Sequence, residues 1–377
     1  MEELYRKMLA YDDAWCNLMG FFNPYTDSFE SSFTTRLPMF DKRAFNLYPK
    51  YNFVYDKLWV MQSQNITCGK LESITKDSNI TYPIFIKPRW GHKSASSKNC
   101  FKISSFSQLQ KYQHIKEMMW SEFIEGTENM TDYVLLNGNI IYEITYLYSD
   151  EQNGYTEQYK FISPNNKAPA NIKDWVNEYL IGYSGVVNVQ YRNNIIIEAG
   201  LRLARGGAYI QSTDNTNIID LINTVYDSNR ADHIERKTLN FTPYYSFKCF
   251  TRFPIVYLYP QYIVDGLMYI FNAKPFYEYY FEPNGNDGNV IFQFLHEDKE
   301  IGKRCSTIFT LLFILVQLIV IVMVFYMSYL FYKAKYKTTP YLRYILYAFI
   351  LFYITQYLNP ISVHYNLYKA KKQKTLW

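Results

Sequence analysis

The sequence predicts an α+β fold built on antiparallel sheets and ending in a membrane segment. Two hairpin signals and one long charge-free run predict it. Asn137-Gly138 separates residues 132–136 from 139–147, and Asn-Gly between apolar alternations marks a two-stranded hairpin. Residues 185–191 and 195–199 flank Arg192-Asn193-Asn194 as a second hairpin. Consecutive hairpins give antiparallel sheets, which argues against a doubly wound parallel sheet. Residues 306–332, STIFTLLFILVQLIVIVMVFYMSYLFY, carry no charge. A bilayer core needs about 20 such residues, and a buried soluble helix rarely runs so long without one charge.

The remaining elements follow in chain order. Residues 1–54 form a short N-terminal region without a readable motif. Residues 82–87 (YPIFIK) read as a strand that Pro88 ends, and 100–103 as another. Ser104 and Ser105 can cap a helix running to about Met119, with Phe106, Leu109, Tyr112, Ile115 and Met119 near helical spacing. Residues 120–124 read as a strand entering a loop at Gly126, 172–181 as a helix and 243–300 as mixed strands. A second apolar run, 341–358, is shorter and contains Arg343 and Gln356. It reads as the return arm of a transmembrane hairpin, with a seat in the membrane interface as the alternative. Residues 359–377 are a basic tail.

Composition narrows the function classes. The net charge is only +5 and no basic block precedes residue 299, so nucleic acid is not an expected partner. The five cysteines are widely spaced and form no CxxC pair, so neither a disulfide framework nor a zinc site is expected and a reducing compartment fits. MEELYRKMLAYDDAW lacks the apolar stretch of a signal peptide. The sequons at Asn65, Asn79, Asn129 and Asn240 are expected by chance in a chain rich in Asn and Thr. The part before Ser306 is therefore expected to face the cytosol, on a single- or double-pass membrane protein whose lipid partner is the bilayer.

The second hairpin carries the clearest chemistry. With a three-residue turn, Ile196 faces Gln190, and Glu198 lies one diagonal step on, along the same face, at about 7–8 Å between Cα atoms. Two oxygen-bearing side chains so placed can share Mg²⁺ (or Mn²⁺), which completes its shell with water and phosphate. A two-residue turn would put the pair on opposite faces, and an ordinary exposed Gln and Glu is the plain alternative. Arg202 and Arg205 follow, then Gly206-Gly207. Two guanidiniums there suit phosphate or carboxylate, or form a solvated basic turn. Upstream, Lys87 ends a strand before PRWGHKSASS, whose Ser94 and Ser96 belong to a loop of small residues. A strand-end ammonium beside free backbone N–H groups can surround phosphates. No Walker A pattern is present.

In this order the pieces resemble the ATP-grasp superfamily, from about residue 55 to 213 and more loosely to 300. Asp56-Lys57 resembles the family's helix-opening pair, Lys87 its strand-borne lysine, and Glu122-Phe123-Ile124-Glu125-Gly126-Thr127-Glu128 its adenine hinge. NVQYRNNIIIEAGLRLAR is similar to the closing motif of the carbamoyl-phosphate synthetase large subunit, in which Glu-x-Asn-x-Arg follows a metal-binding Gln. The resemblance implies an ATP-grasp fold over 55–300, with two α+β subdomains clamping ATP. It implies a ligase that phosphorylates an unknown carboxylate and passes the acyl group to an amine or thiol. Lys57 and Lys87 would hold phosphates, the backbone of Phe123 and Ile124 adenine, and Glu128 the ribose. Gln190 and Glu198 would hold Mg²⁺, Arg202 would stabilise the acylphosphate and Arg205 would orient the acceptor. Glycine at position 200 departs from the family's Asn and removes one Mg²⁺ ligand. That leaves a second function open: a pseudoenzyme acting as a membrane-bound binding or structural protein. Gly200→Asn is expected to raise activity if the position has degenerated.

Overall fold

The computed structural model describes residues 20, 22, 32–93, 99–149, 152–153, 156–231, 235–251, 259–276, 289–333, 344 and 347. The second apolar run and the basic tail fall outside them, apart from helical Tyr344 and Tyr347. The chain divides into two compact units, one of residues 29–244 and one joining 1–28 to 245–376.

The 29–244 unit opens with α1 (Asp41–Leu47), a 3-10 turn (Pro49–Tyr55) and α2 (Lys57–Gln62). Its small sheet has β1 (Cys68–Lys70), β2 (Ile84–Pro88), β3 (Phe101–Ile103) and β4 (Met118–Glu122) in the antiparallel order β1-β4-β2-β3. Between β3 and β4 the expected long helix is only α3, Phe106–Leu109. Ser105 caps it as expected, accepting from the Gln108 N–H at 3.3 Å. The apolar spacing that suggested more helix has a different cause. Tyr112 and Ile115 pack from turns onto the small sheet's core of Leu71, Ile74, Ile84, Ile86, Ile103 and Leu109, and Met119 lies buried in a strand.

The larger sheet of this unit uses β5 (Glu128–Leu136), β6 (Asn139–Tyr148), β7 (Tyr159–Ser163), β8 (Gly185–Arg192) and β9 (Ile195–Gly200). They run antiparallel in the order β9-β8-β5-β6-β7. Asn137 (φ 52°) and Gly138 (φ 83°) turn β5 into β6 as the Asn-Gly signal requires. One face of the sheet, through Tyr133, Leu135, Val187, Val189, Tyr191 and Ile196, packs on Val54, Tyr55, Val60 and α4 (Ala170–Tyr179). Each fully buried Val, Leu or Ile contributes about 1.5–3 kcal/mol, so this face fixes the sheet's orientation. Its other face carries the polar residues described below. α5 (Thr216–Ser228) closes the unit, and its Tyr226 hydroxyl accepts from the Val186 N–H at 3.1 Å.

In the second unit β10 (Tyr244–Thr251) pairs with β11 (Asn289–His296), which also pairs with Lys274–Pro275. A helix, α6 (Gln261–Phe271), stands where only strands were expected. α7 (Lys299–Lys333) includes 306–332, and its Lys299–Met327 stretch of 29 residues is long and apolar enough to cross a membrane. Tyr259 packs on Phe309 and Phe313 of α7 at ring distances of 4.7 and 5.5 Å.

A Cβ at Gly138 would lie 2.6 Å from the backbone nitrogen of Gly182, and φ there is positive. Gly138→Ala should therefore lower stability by about 1–3 kcal/mol. Chemical unfolding in detergent checks this, and an unchanged midpoint would show that the hairpin tip yields freely.

Candidate active site

The β8–β9 hairpin departs from the expected geometry in an instructive way. Its turn has two residues, Asn193 (φ 47°) and Asn194 (φ 66°), since Arg192 pairs with Ile195 and Tyr191 with Ile196. Such a turn alone would send Gln190 and Glu198 to opposite faces. The ladder instead slips by one residue, and Gln190 pairs directly with Glu198. Ile197 is the extra residue of a β-bulge. The bulge returns Glu198 and Gly200 to the face of Asn188, Gln190 and Arg192, while Ile196 stays in the core with Tyr191.

The carbonyl of Ile197 has a partner from the other sheet. Lys87 Nζ, at the end of β2, donates to it at 2.7 Å. Lys57 Nζ, from the first turn of α2, lies 3.0 Å from Glu198 Oε2. Both lysines are 5% exposed. Burial, then the neighbouring Lys57 charge, lowers Lys87 to about 8. Burial raises Glu198, but Lys57, Lys87 and Arg202 outweigh it and hold the carboxyl below its ordinary value. Asp56 fixes the start of α2. Its Oδ1 accepts from the Leu58 N–H at 3.1 Å and from Arg89 Nε at 2.7 Å, and Arg89 Nη2 binds Oδ2. The Lys57 N–H in turn donates to the Arg89 carbonyl at 2.9 Å, which ties α2 to the chain leaving β2.

Beyond Gly200, Arg202 is held by Asp41 of α1. Nε and Nη2 both lie 2.9 Å from Asp41 Oδ2. Burial raises the Asp41 carboxyl, Arg202 opposes this and Glu198 adds to it. Deeper on the same face Asp132, 1% exposed, accepts from Tyr146 Oη at 2.8 Å, Asn188 Nδ2 at 2.8 Å and the Ala204 N–H at 3.0 Å. It thereby anchors the chain that carries Arg202. Burial pushes its carboxyl up to about 6 despite these donors. Lys160, fully buried on β7, donates to Tyr209 Oη at 2.6 Å.

The other sequence-derived candidates are distributed as follows. Glu128 pairs across the ladder with Arg192, whose Nη2 donates to Oε2 at 2.9 Å. Glu122 is exposed at the end of β4. The Phe123 N–H donates to the Pro83 carbonyl at 3.3 Å, and Lys102 Nζ lies 3.9 Å above the Phe123 ring. Ile124 follows in the loop after β4. Arg205 lies in the 3-10 turn Ala204–Gly207. Ser94 and Ser96 lie outside the described residues. The fold therefore brings Lys57, Lys87, Gln190, Glu198 and Arg202 to one locus. Sequence reasoning missed Asp41, Arg89 and Asp132. Only Asp132 left a signal, as an acid heading the apolar run Tyr133–Leu136. Among the described residues no three His, Cys, Asp or Glu side chains gather to hold a metal, so any cation here relies on Gln190 beside its carboxylates.

A family model described as the geminivirus rep protein central domain matches residues 120–205. No curated protein matches. Among solved structures the chain is similar to an L-amino acid ligase from Bacillus licheniformis: 13% identity, 67% of this chain and 68% of that one, TM-score 0.46. It is also similar to an Aspergillus clavatus N5-carboxyaminoimidazole synthase in complex with ADP and 5-aminoimidazole ribonucleotide. Identity there is 11%, over 72% of this chain and 75% of that one, with TM-score 0.48. A biotin carboxylase–ATP-analogue complex from Campylobacter jejuni gives 14%, 69% of each chain and 0.41. The 29–244 unit is an α+β architecture of two antiparallel sheets and helices, one sheet carrying Lys87 and the other Gln190 and Glu198.

Asp132 gives a pH test. Its folded value near 6 lies above the roughly 3.9 of an unfolded Asp. Between these values the folded state binds more protons, so this group's contribution to stability falls as pH rises from about 4 to about 6. The change is on the order of 2–3 kcal/mol. Melts of wild type and Asp132→Asn across pH 4–7 should differ in slope over that window. Parallel curves would show that Asp132 does not titrate there.

Proposed function

We propose that this chain is an ATP- and Mg²⁺-dependent ligase that joins a carboxylate to an amine or thiol and is held to a membrane by α7. The observation that carries this reading is the pairing of Lys57 with Glu198 and of Arg202 with Asp41, with Lys87 on the adjacent Ile197 carbonyl, where the two sheets of the 29–244 unit meet. Three cations against two carboxylates leave a positive, poorly hydrated locus, which suits a polyphosphate. The residues also fit the metal. Gln190 and Glu198 stand directly opposed and offer oxygen donors, the preference of a hard cation. When bound, Mg²⁺ neutralises charge developing on the transferred phosphoryl group.

The chain's own residues have these roles. Lys57 and Lys87 hold phosphate oxygens, and Glu128 meets the ribose once Arg192 yields. The carbonyls of the Phe123–Ile124 stretch meet adenine, and Ser94 and Ser96 cover the phosphates. The substrate carboxylate oxygen attacks the γ-phosphorus and ADP leaves. The amine or thiol then displaces phosphate from the acyl carbon. Arg202 neutralises the carboxyl phosphate, and Arg205 orients the acceptor.

ATP with Mg²⁺ should raise the melting temperature of the full chain. A charge-assisted phosphate contact is worth about 1.5–3 kcal/mol, so Lys87→Ala should weaken nucleotide affinity by one to two decades. Because Lys87 sits near 8, wild-type affinity should fall as pH rises through that value and the variant's should not. Glu198→Gln should abolish the Mg²⁺-dependent part. A folded Lys87→Ala protein with wild-type affinity would defeat the phosphate assignment.

The 29–244 unit faces the cytosol in this reading, where ATP and Mg²⁺ are plentiful. Asn129 supports it. This sequon lies inside paired strand β5, and its Oδ1 accepts from the Tyr148 N–H at 3.0 Å, a poor place for a glycan. On intact membranes an N-terminal tag should be open to protease and the chain insensitive to glycosidase. Protection of the tag would reverse the orientation.

A further inference from the structure

Gly200 needs an explanation. It lies in a strand, where glycine is disfavoured, and its φ is not in the left-handed range that would demand it. A strand glycine without conformational need often marks a close approach by another group. Here the group is Asp41 Oδ1, which lies 2.6 Å from where a Cβ on residue 200 would stand. Position 200 follows Glu198 on the same face of β9, and Glu198 is opposite Gln190. The carboxylate of a residue 159 positions earlier thus occupies the place that a side chain at 200 would fill.

The pairing with Arg202 leaves that oxygen available. A fork-on-fork Arg–carboxylate pair uses both oxygens. Here Nε and Nη2 share Oδ2, and Oδ1 is directed over Gly200. Tyr55 walls the space. Its ring lies 3.5 Å from the Cβ positions of both Gly91 and Gly200, and its Oη accepts from the Leu201 N–H at 2.9 Å. The Gly91 position is also 3.6 Å from Glu198 Oε1 and from Lys57 Cε, so the same ring borders both carboxylates.

We propose that Asp41 is a third oxygen ligand of the divalent cation, supplied from α1 in place of a side chain at 200, with Gly200 as the clearance that admits it. This rests on the Mg²⁺–nucleotide reading of the site. It also revises the expectation for Gly200→Asn: the new side chain collides with Asp41, so that single variant loses metal rather than gaining activity.

The test measures Mn²⁺ binding to the full chain in detergent with ADP present, by electron paramagnetic resonance, in four variants. Asp41→Ala should weaken Mn²⁺ affinity by at least about tenfold, and Gly200→Asn should weaken it too. The double variant Asp41→Ala/Gly200→Asn should return to within about threefold of wild type, a rescue that a purely structural salt bridge would not give. Asp41→Asn keeps an acceptor for Arg202, so it separates loss of the ligand charge from loss of the fold. Wild-type Mn²⁺ affinity in both Asp41 variants, or tighter binding in Gly200→Asn alone, overturns the proposal while leaving the nucleotide site standing. A wild-type chain that binds no Mn²⁺ with ADP overturns the site reading and this proposal with it.

Discussion

An ammonium group removed from water must find a compensating charge or acceptor, and two such groups side by side double the demand. Lys57 and Lys87 impose this constraint on the 29–244 unit. The penalty for burying an ion is several kcal/mol even after relaxation, so the surrounding chain is arranged to offset it. Glu198 answers Lys57 and the Ile197 carbonyl answers Lys87, so both compensations come from consecutive residues of one strand. That strand is the edge of its sheet, so its outward carbonyls are open to a partner, and the bulge sets Ile197 beside Glu198. The Asp56–Arg89 pair works on the same problem from the other side, holding the start of α2 against the end of β2 so that the two lysines arrive together.

The larger sheet shows how a polar face stays ordered opposite an apolar one. Its core face needs only shape and volume, and Tyr133, Val187, Val189 and Ile196 supply them. Its other face has donors and acceptors that must match individually. Asp132 accepts from two side chains and one backbone N–H, so displacing any one of them exposes a buried acid. The loop bearing Arg202 is thus tied to the middle of the sheet as well as to α1.

Much of this was legible in the sequence, and the gaps have physical reasons. Asn-Gly fixed one hairpin because few residue pairs adopt two positive φ angles in succession. The strand-end position of Lys87 followed from Pro88, and Gln190 and Glu198 share a face as expected, by way of the bulge and not of a three-residue turn. The route to that face was misread, because a bulge leaves no local mark in NNIIIE. The helix expected to reach Met119 failed because period-matched apolar residues can serve a turn and a strand as well as a helix. α6 was missed since its residues are apolar on nearly every side, which blurs periodicity. Asp41 was beyond reach: nothing in DKRAFNL says which residue, more than 150 positions away, it will meet.

The β-bulge at Ile197 has a consequence for how length variation can be accommodated. Eight residues from Gln190 to Glu198 can be spent as a longer turn with an unbroken ladder, or as a tight turn with one residue looped out. Both deliver the two side chains to one face. The second leaves Ile197 without a partner across the ladder, and its carbonyl takes the incoming lysine. Adding a residue at the tip and removing one at the bulge would conserve the side chains facing the ligand yet change which carbonyl lies beneath Lys87. The hairpin therefore encodes two properties in one count of residues: which side chains line the face, and where the backbone itself takes part.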